Sequence, residues 1–152
     1  MDTYVDTGIL VKIYVKEPDS PDAIEILQRI AAPVILTHLQ ELELVNAIHL
    51  KCARSEITAA AMNAALGNFQ DDIRAGRYHR PFCDYPAIFR KAGEFSRAHT
   101  IATKCRSLDL LHVASASVLG CRAFATFDKR QAAVAKKAGL ALATHPPRGN
   151  PA

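Results

Sequence analysis

The chain has 152 residues, of which 49% are hydrophobic and 22% charged, and its formal net charge is +4. This is the composition of a soluble globular protein, long enough for one domain with a full core. No apolar stretch approaches the roughly 18 residues of a membrane helix, no basic-then-apolar leader marks export, and the charge leans only weakly towards a polyanionic partner.

Residues 3–6 are predicted as the first strand, an apolar run closed by Asp6. Residues 7–16 follow as a short helix with Ile9, Leu10, Ile13 and Tyr14 on one face. Ser20-Pro21 opens a second helix, with Ser as N-cap and Pro at N1, whose apolar face is Ala23, Ile24, Leu27 and Ile30. Residues 34–37 read as a strand and 39–54 as a helix. Thr58 caps an alanine-rich helix that reaches Ile73 and stops at Gly76. Residues 77–85 are irregular or a short edge strand, because Pro81 cannot donate to a central ladder. Helices follow over 86–103 and 108–119, the second ended by Gly120. A strand over 123–127, a helix over 129–138 ended by Gly139, and a strand over 140–144 complete a single domain, 1–145. Residues 146–152 read as a tail. The alternation of β and α predicts an α/β fold: a mainly parallel sheet of four to five strands, covered on both faces.

Four acids fall where the chain switches element type: Asp6, Glu43, Asp109 and Asp128. Open parallel sheets bind ligands at the carboxyl ends of their strands. Asp6 and Asp128 belong there, and Glu43 and Asp109 can reach the same crevice from helices. Each also has an ordinary role: Asp6 and Asp128 as N-caps, Asp109 as a first-turn acid paired with Arg106, Glu43 as a solvated residue beside Asn46. Two carboxylates about 5 Å apart repel by roughly 3 kcal/mol at an effective dielectric near 20. A fold has little reason to gather several unless a divalent cation offsets the repulsion, and oxygen donors suit Mg²⁺ or Mn²⁺. The six histidines lack zinc spacing. His112, on the same face as Asp109, is expected to be a hydrogen-bonded structural histidine. The four widely spaced cysteines are expected to be reduced thiols of a cytoplasmic protein.

Tyr4-Val5-Asp6-Thr7-Gly8, Leu42-Glu43-Leu44-Val45-Asn46-Ala47, Leu108-Asp109-Leu110-Leu111-His112-Val113-Ala114-Ser115-Ala116 and Ala125-Thr126-Phe127-Asp128-Lys129-Arg130 occur in the order of a known pattern. Together they resemble the PIN-domain family, nearest its VapC-like toxin branch, over essentially residues 1–145. The resemblance implies a three-layer α/β/α sandwich and a Mg²⁺- or Mn²⁺-dependent endoribonuclease, the toxin of a toxin–antitoxin pair. Asp6, Glu43, Asp109 and Asp128 would then hold the metal and carry catalysis. Thr7, Asn46, Arg106 and Thr126 would support them or contact phosphate. Gly8 departs from the pattern, since many members carry Ser or Asn there.

The partners implied are RNA, a small antitoxin and a second copy of the chain, with the helices over 20–31 and 58–73 expected to offer exposed apolar faces. Lys12, Lys16, Arg77, Arg80, Lys104, Lys129 and Arg130 join Arg106 as cations available to phosphates. The alternatives are a PIN nuclease that processes RNA without a toxin role, and an inactive PIN-like binding module. A receiver or phosphatase fold is disfavoured: the first strand lacks the receiver's acidic pair, and Gly8 stands where the phosphatase pattern has a second Asp.

Overall fold

A computed structural model of the chain describes residues 3–30 and 33–143. The predicted tail and residue 144, the end of the last predicted strand, lie outside them. The described elements are β1 (Thr3–Val5), α1 (Thr7–Tyr14), α2 (Ser20–Arg29), β2 (Val34–Ile35), α3 (His38–Ala53), α4 (Ala59–Arg74), β3 (Tyr78–His79), α5 (Tyr85–Thr103), α6 (Ser107–Val118), β4 (Ala123–Ala125), α7 (Lys129–Lys137) and β5 (Ala141–Leu142).

All the pairings are parallel. One ladder runs β1-β4-β5 and a second runs β2-β3. The two ladders meet where β1 contacts β2. The register sets Val5 opposite Ala125, and Asp6 N–H donates to Ala125 O at 2.9 Å. That last bond carries the pairing just past β1 and fixes Asp6 at the carboxyl edge of the sheet.

Successive strand residues face opposite ways, so each strand feeds two cores. Tyr4 and Phe124 enter the core built with Ile88, Val113 and Val134 of α5, α6 and α7. Val5 and Ala125 enter the other, with Ile9, Leu44, Ile48 and Phe69 of α1, α3 and α4. This is the expected three-layer sandwich. It explains why such short strands are apolar throughout rather than alternating.

Helix starts follow local chemistry. Thr37 and Gln40 form a full capping box on α3, and the Gln40 amide also donates to Val5 O at 2.7 Å, pinning that helix to the end of β1. Thr58 caps α4 as expected, and Gly120 and Gly139 take the left-handed turns at φ 72° and 83° after α6 and α7. The second helix differs from expectation. Ser20 does not cap it. Its buried hydroxyl accepts Glu17 N–H and donates to Lys12 O, both at 2.8 Å, locking the α1–α2 connection. The buried face of α2 is Ser20, Ala23 and Ile26, while Ile24 is 44% exposed.

The exposed apolar surface lies where the sequence placed it on α2, through Ile24, but not on α4. No large apolar side chain of α4 is exposed, because Met62, Leu66, Phe69 and Ile73 all pack inward. The other exposed large apolar side chains are Leu42 and Leu50 of α3, Phe82, then Phe89 and Ile101 of α5, Leu108 of α6, and Phe127. None of the four cysteines forms a disulfide among the described residues. Among the described residues no helix is long and apolar enough to cross a membrane.

Glu17 joins α1 to α3 by accepting from both Lys12 and Lys51. Burial works against its charge, but the two lysines outweigh burial and hold the carboxyl below the usual glutamate range. A depressed carboxyl stabilises the fold above the unfolded pKa, and that share is lost as pH falls through the folded value. Glu17→Gln is therefore expected to lower the melting temperature at pH 7. Its deficit against the wild type should shrink towards pH 3, as followed by circular dichroism.

Candidate active site

Asp6 follows β1 and caps α1. Its Oδ2 accepts Gly8 N–H at 3.1 Å and its Oδ1 accepts the Gln131 amide at 3.1 Å. A Cβ on Gly8 would stand 3.0 Å from Oδ2, so the bare glycine leaves the carboxylate room to cap. Burial pushes the Asp6 carboxyl above the usual aspartate range, against the opposing pull of His112, Gln131 and Gly8.

Glu43 lies in the second turn of α3. Its Oε2 accepts the Thr7 hydroxyl at 3.0 Å and the Nε2 of His112. Burial opposes its charge, but the His112 bond and charge, Thr7 and Arg106 outweigh burial and hold it below the usual range. Asn46, one turn on, is exposed.

Asp109 stands in the first turn of α6, its side chain 17% exposed, and Arg106 Nε donates to its Oδ2 at 3.0 Å. Asp128 caps α7 by accepting Arg130 N–H at 2.7 Å and Gln131 N–H at 3.1 Å, and the Arg130 guanidinium reaches its other oxygen. The Thr126 hydroxyl accepts Asp128 N–H at 3.0 Å. Burial, then Asp109 and Asp128, push the Cys105 thiol up to about 11, so both acids act on the same spot.

The residue that ties the segments carrying Asp6, Asp109 and Asp128 together is Gln131, which is fully buried. Its Nε2 donates to Asp6 Oδ1 and to Asp109 O at 3.3 Å, and its backbone N–H serves Asp128. The sequence carried a partial sign of it, since Asp128 and Gln131 have capping-box spacing. Nothing local shows that its amide turns to another strand.

Asp6, the Asp109 carbonyl and Asp128 thus each bond Gln131, and Glu43 bonds His112. Among the described residues no three His, Cys, Asp or Glu side chains form a ready metal-ligand cluster. Arg106, Arg130 and His112 already engage one oxygen of Asp109, Asp128 and Glu43 respectively. The donor chemistry fits a hard divalent ion. The carboxylate donors are oxygens, and Gln131, whose Nε2 bonds Asp6, has a buried Oε1 with no hydrogen-bond partner.

Several candidate phosphate contacts are committed elsewhere. Lys12 pairs with Glu17 and Asp19, Arg77 with Asp72, and Arg80 with Glu41. Arg106 and Arg130 pair with the acids themselves, and Lys104 and Lys129 are exposed nearby.

A parallel sheet between two helical layers, with acids at the ends of two neighbouring strands and on two helices beside them, is the arrangement of a PIN domain. The PIN-domain profile matches residues 3–137, and the chain belongs to that family, a family of nucleases.

Two solved structures share the fold. FitAcB from Neisseria gonorrhoeae superposes with a TM-score of 0.66 at 17% identity, over 92% of this chain and 95% of that one. VapC20 of Mycobacterium tuberculosis, a sarcin-ricin-loop-cleaving toxin, gives 0.62 at 17% identity, over 87% and 94%. No curated protein matches the sequence.

Proposed function

We propose that this chain is a Mg²⁺- or Mn²⁺-dependent endoribonuclease of the VapC-like branch, the toxin of a toxin–antitoxin pair, acting in the cytoplasm. The observation that carries the reading is that Gln131 bonds Asp6, the Asp109 carbonyl and Asp128, with Glu43 joined through Thr7 and His112. Asp6, Glu43 and Asp109 would hold the ion directly or through water, and Asp128 would complete the site or orient water. When bound, the ion would lower the pKa of its water and shield charge on the phosphorane-like transition state. Arg106, now on Asp109, would be available to an RNA phosphate, with Lys104 and Lys129 on the basic rim.

Leu108 and Phe127, 51% and 38% exposed, directly precede Asp109 and Asp128. Apolar side chains at the lip of an acidic mouth suit an antitoxin segment that presents apolar residues and a cation. A second copy suits the open groove between α3, α5 and α6, where Leu39, Leu42, Ile88, Phe89 and Leu111 line the wall.

Cleavage of single-stranded RNA is expected in Mn²⁺, is expected to stop in EDTA, and should return when Mn²⁺ is restored. Cleavage that persists in EDTA overturns the metal mechanism. Expression in a bacterial host should arrest growth. Soluble, RNA-cleaving protein that causes no arrest overturns the toxin role and leaves the nuclease standing.

A further inference from the structure

We propose that Tyr4 and His112 form a buried positioning relay that presents Glu43 to the divalent ion, an inference that rests on the nuclease reading. The relay is built on the same elements as three of the acids. Tyr4 precedes Asp6 by two residues, His112 follows Asp109 by three, and Thr37 caps the helix that carries Glu43. The first two spacings keep the pair on one side of its element.

The chain of contacts is continuous. Tyr4 OH lies 3.3 Å from Thr37 Oγ1 and 2.9 Å from His112 Nδ1, and His112 Nε2 meets Glu43 Oε2. Tyr4, His112 and Thr37 are 0%, 1% and 2% exposed, so water does not substitute for any member.

Thr37 Oγ1 accepts Gln40 N–H at 3.2 Å and can give its own hydrogen to Tyr4. With the imidazole neutral, Tyr4 donates to Nδ1 and the ring proton sits on Nε2, aimed at Glu43; with it protonated, both ring nitrogens donate and Nε2 still serves Glu43. A ring nitrogen fixed in this way sets both tautomer and orientation. The Thr7 hydroxyl donates to the same carboxylate oxygen. Glu43 Oε2 thus carries two donors, and among the described residues Oε1 carries none. The carboxylate is held in one rotamer with one oxygen reserved.

His112 bridges β1 to α3 and is 1% exposed, so it acts through Glu43 and does not meet RNA itself.

The test is Mn²⁺ titration by calorimetry beside RNA cleavage kinetics, on the full chain. His112→Leu is expected to weaken Mn²⁺ binding by roughly 10–100-fold, the usual scale for a residue that orients a metal ligand, and to lower kcat with RNA KM unchanged. His112→Gln, whose amide can donate to Glu43 from the Nε2 position, should recover most of both. Tyr4→Phe keeps the ring and should fall between. In a Glu43→Gln background, His112→Leu should weaken binding no further, because the two changes act through one contact.

Folded His112→Leu or Tyr4→Phe protein with wild-type Mn²⁺ affinity overturns the relay, as does an undiminished His112→Leu effect in the Glu43→Gln background. If His112→Leu fails to fold, Tyr4→Phe and His112→Gln still decide. Wild-type protein that binds no Mn²⁺ overturns the nuclease reading itself.

Discussion

Asp6→Asn is expected to lower RNA cleavage sharply while making the metal-free protein more stable. Burial raises the Asp6 carboxyl above its ordinary range, so the native state holds a proton there more readily than the unfolded chain does. For a raised carboxyl the favourable share of stability is present at low pH and is lost as pH rises through the folded pKa. At neutral pH the charged side chain therefore opposes folding.

Asparagine removes that charge and keeps one acceptor oxygen. Its amide can be met by Gln131 Oε1, which is buried and has no partner. The expected gain is on the order of 1 kcal/mol, the scale of removing a functional-site compromise. In a chain of this size that is roughly 2–4 °C in melting temperature. The gain should fade as the buffer is taken down to pH 4.

Cleavage should fall by on the order of 10²–10³-fold, as when one preorganised charge-stabilising group is lost. Mn²⁺ should raise the wild-type melting temperature by mass action and leave Asp6→Asn unmoved. An asparagine variant that melts below the wild type at every pH would show that Asp6 is held for structure and not for a cation.

What could be read from the sequence divides along the range of the interaction concerned. Caps and periods are local, and so Thr58, Gly120, Gly139 and the capping roles of Asp6 and Asp128 were legible. On α2 the predicted Ala23, Leu27 and Ile30 pack inward, but Ile26 and not Ile24 completes the face. The sequence of α2 fits either choice, and the outcome depends on where α1 and Lys12 O lie. The same holds for the exposed apolar surface: Leu42 and Phe89 have the hydrophobicity of core residues, and only the packing of α3, α5 and α6 leaves them outside.

In the candidate site, each acid was visible as a carboxylate at an element switch. What holds the acids was not. Gln131 reaches Asp6 across 125 positions and His112 reaches Glu43 across 69. No periodicity of one segment encodes such a contact. Arg106 beside Asp109 could be named because three residues of helix separate them.

Phe69→Ala is expected to do the reverse of Asp6→Asn: to destabilise strongly and leave the chemistry intact. Phe69 is fully buried on α4, edge-on to Tyr14 at 5.4 Å and to Tyr78 at 5.6 Å. The hydroxyls of those two rings lie 2.8 Å apart, and Tyr14 also donates to Asp72 Oδ2 at 2.7 Å. The phenyl ring thus supports a tie between α1, α4 and β3 as well as filling the core. Truncating a buried Phe costs about 3–5 kcal/mol, from lost transfer energy and the cavity left behind. That is a large part of the roughly 5–15 kcal/mol that holds a domain folded. The melting temperature should fall by roughly 6–20 °C, and the urea midpoint should fall with it.

α4 carries none of the four acids and neither member of the relay. Measured well below its melting point, the variant should therefore cleave RNA with the wild-type kcat per folded molecule. A kcat that falls with the stability would mean that the α4 layer sets the positions of Glu43 and Asp6 through α3 and α1. The acid site would then be a property of the whole fold and not of the β1–α3–α6–α7 frame alone.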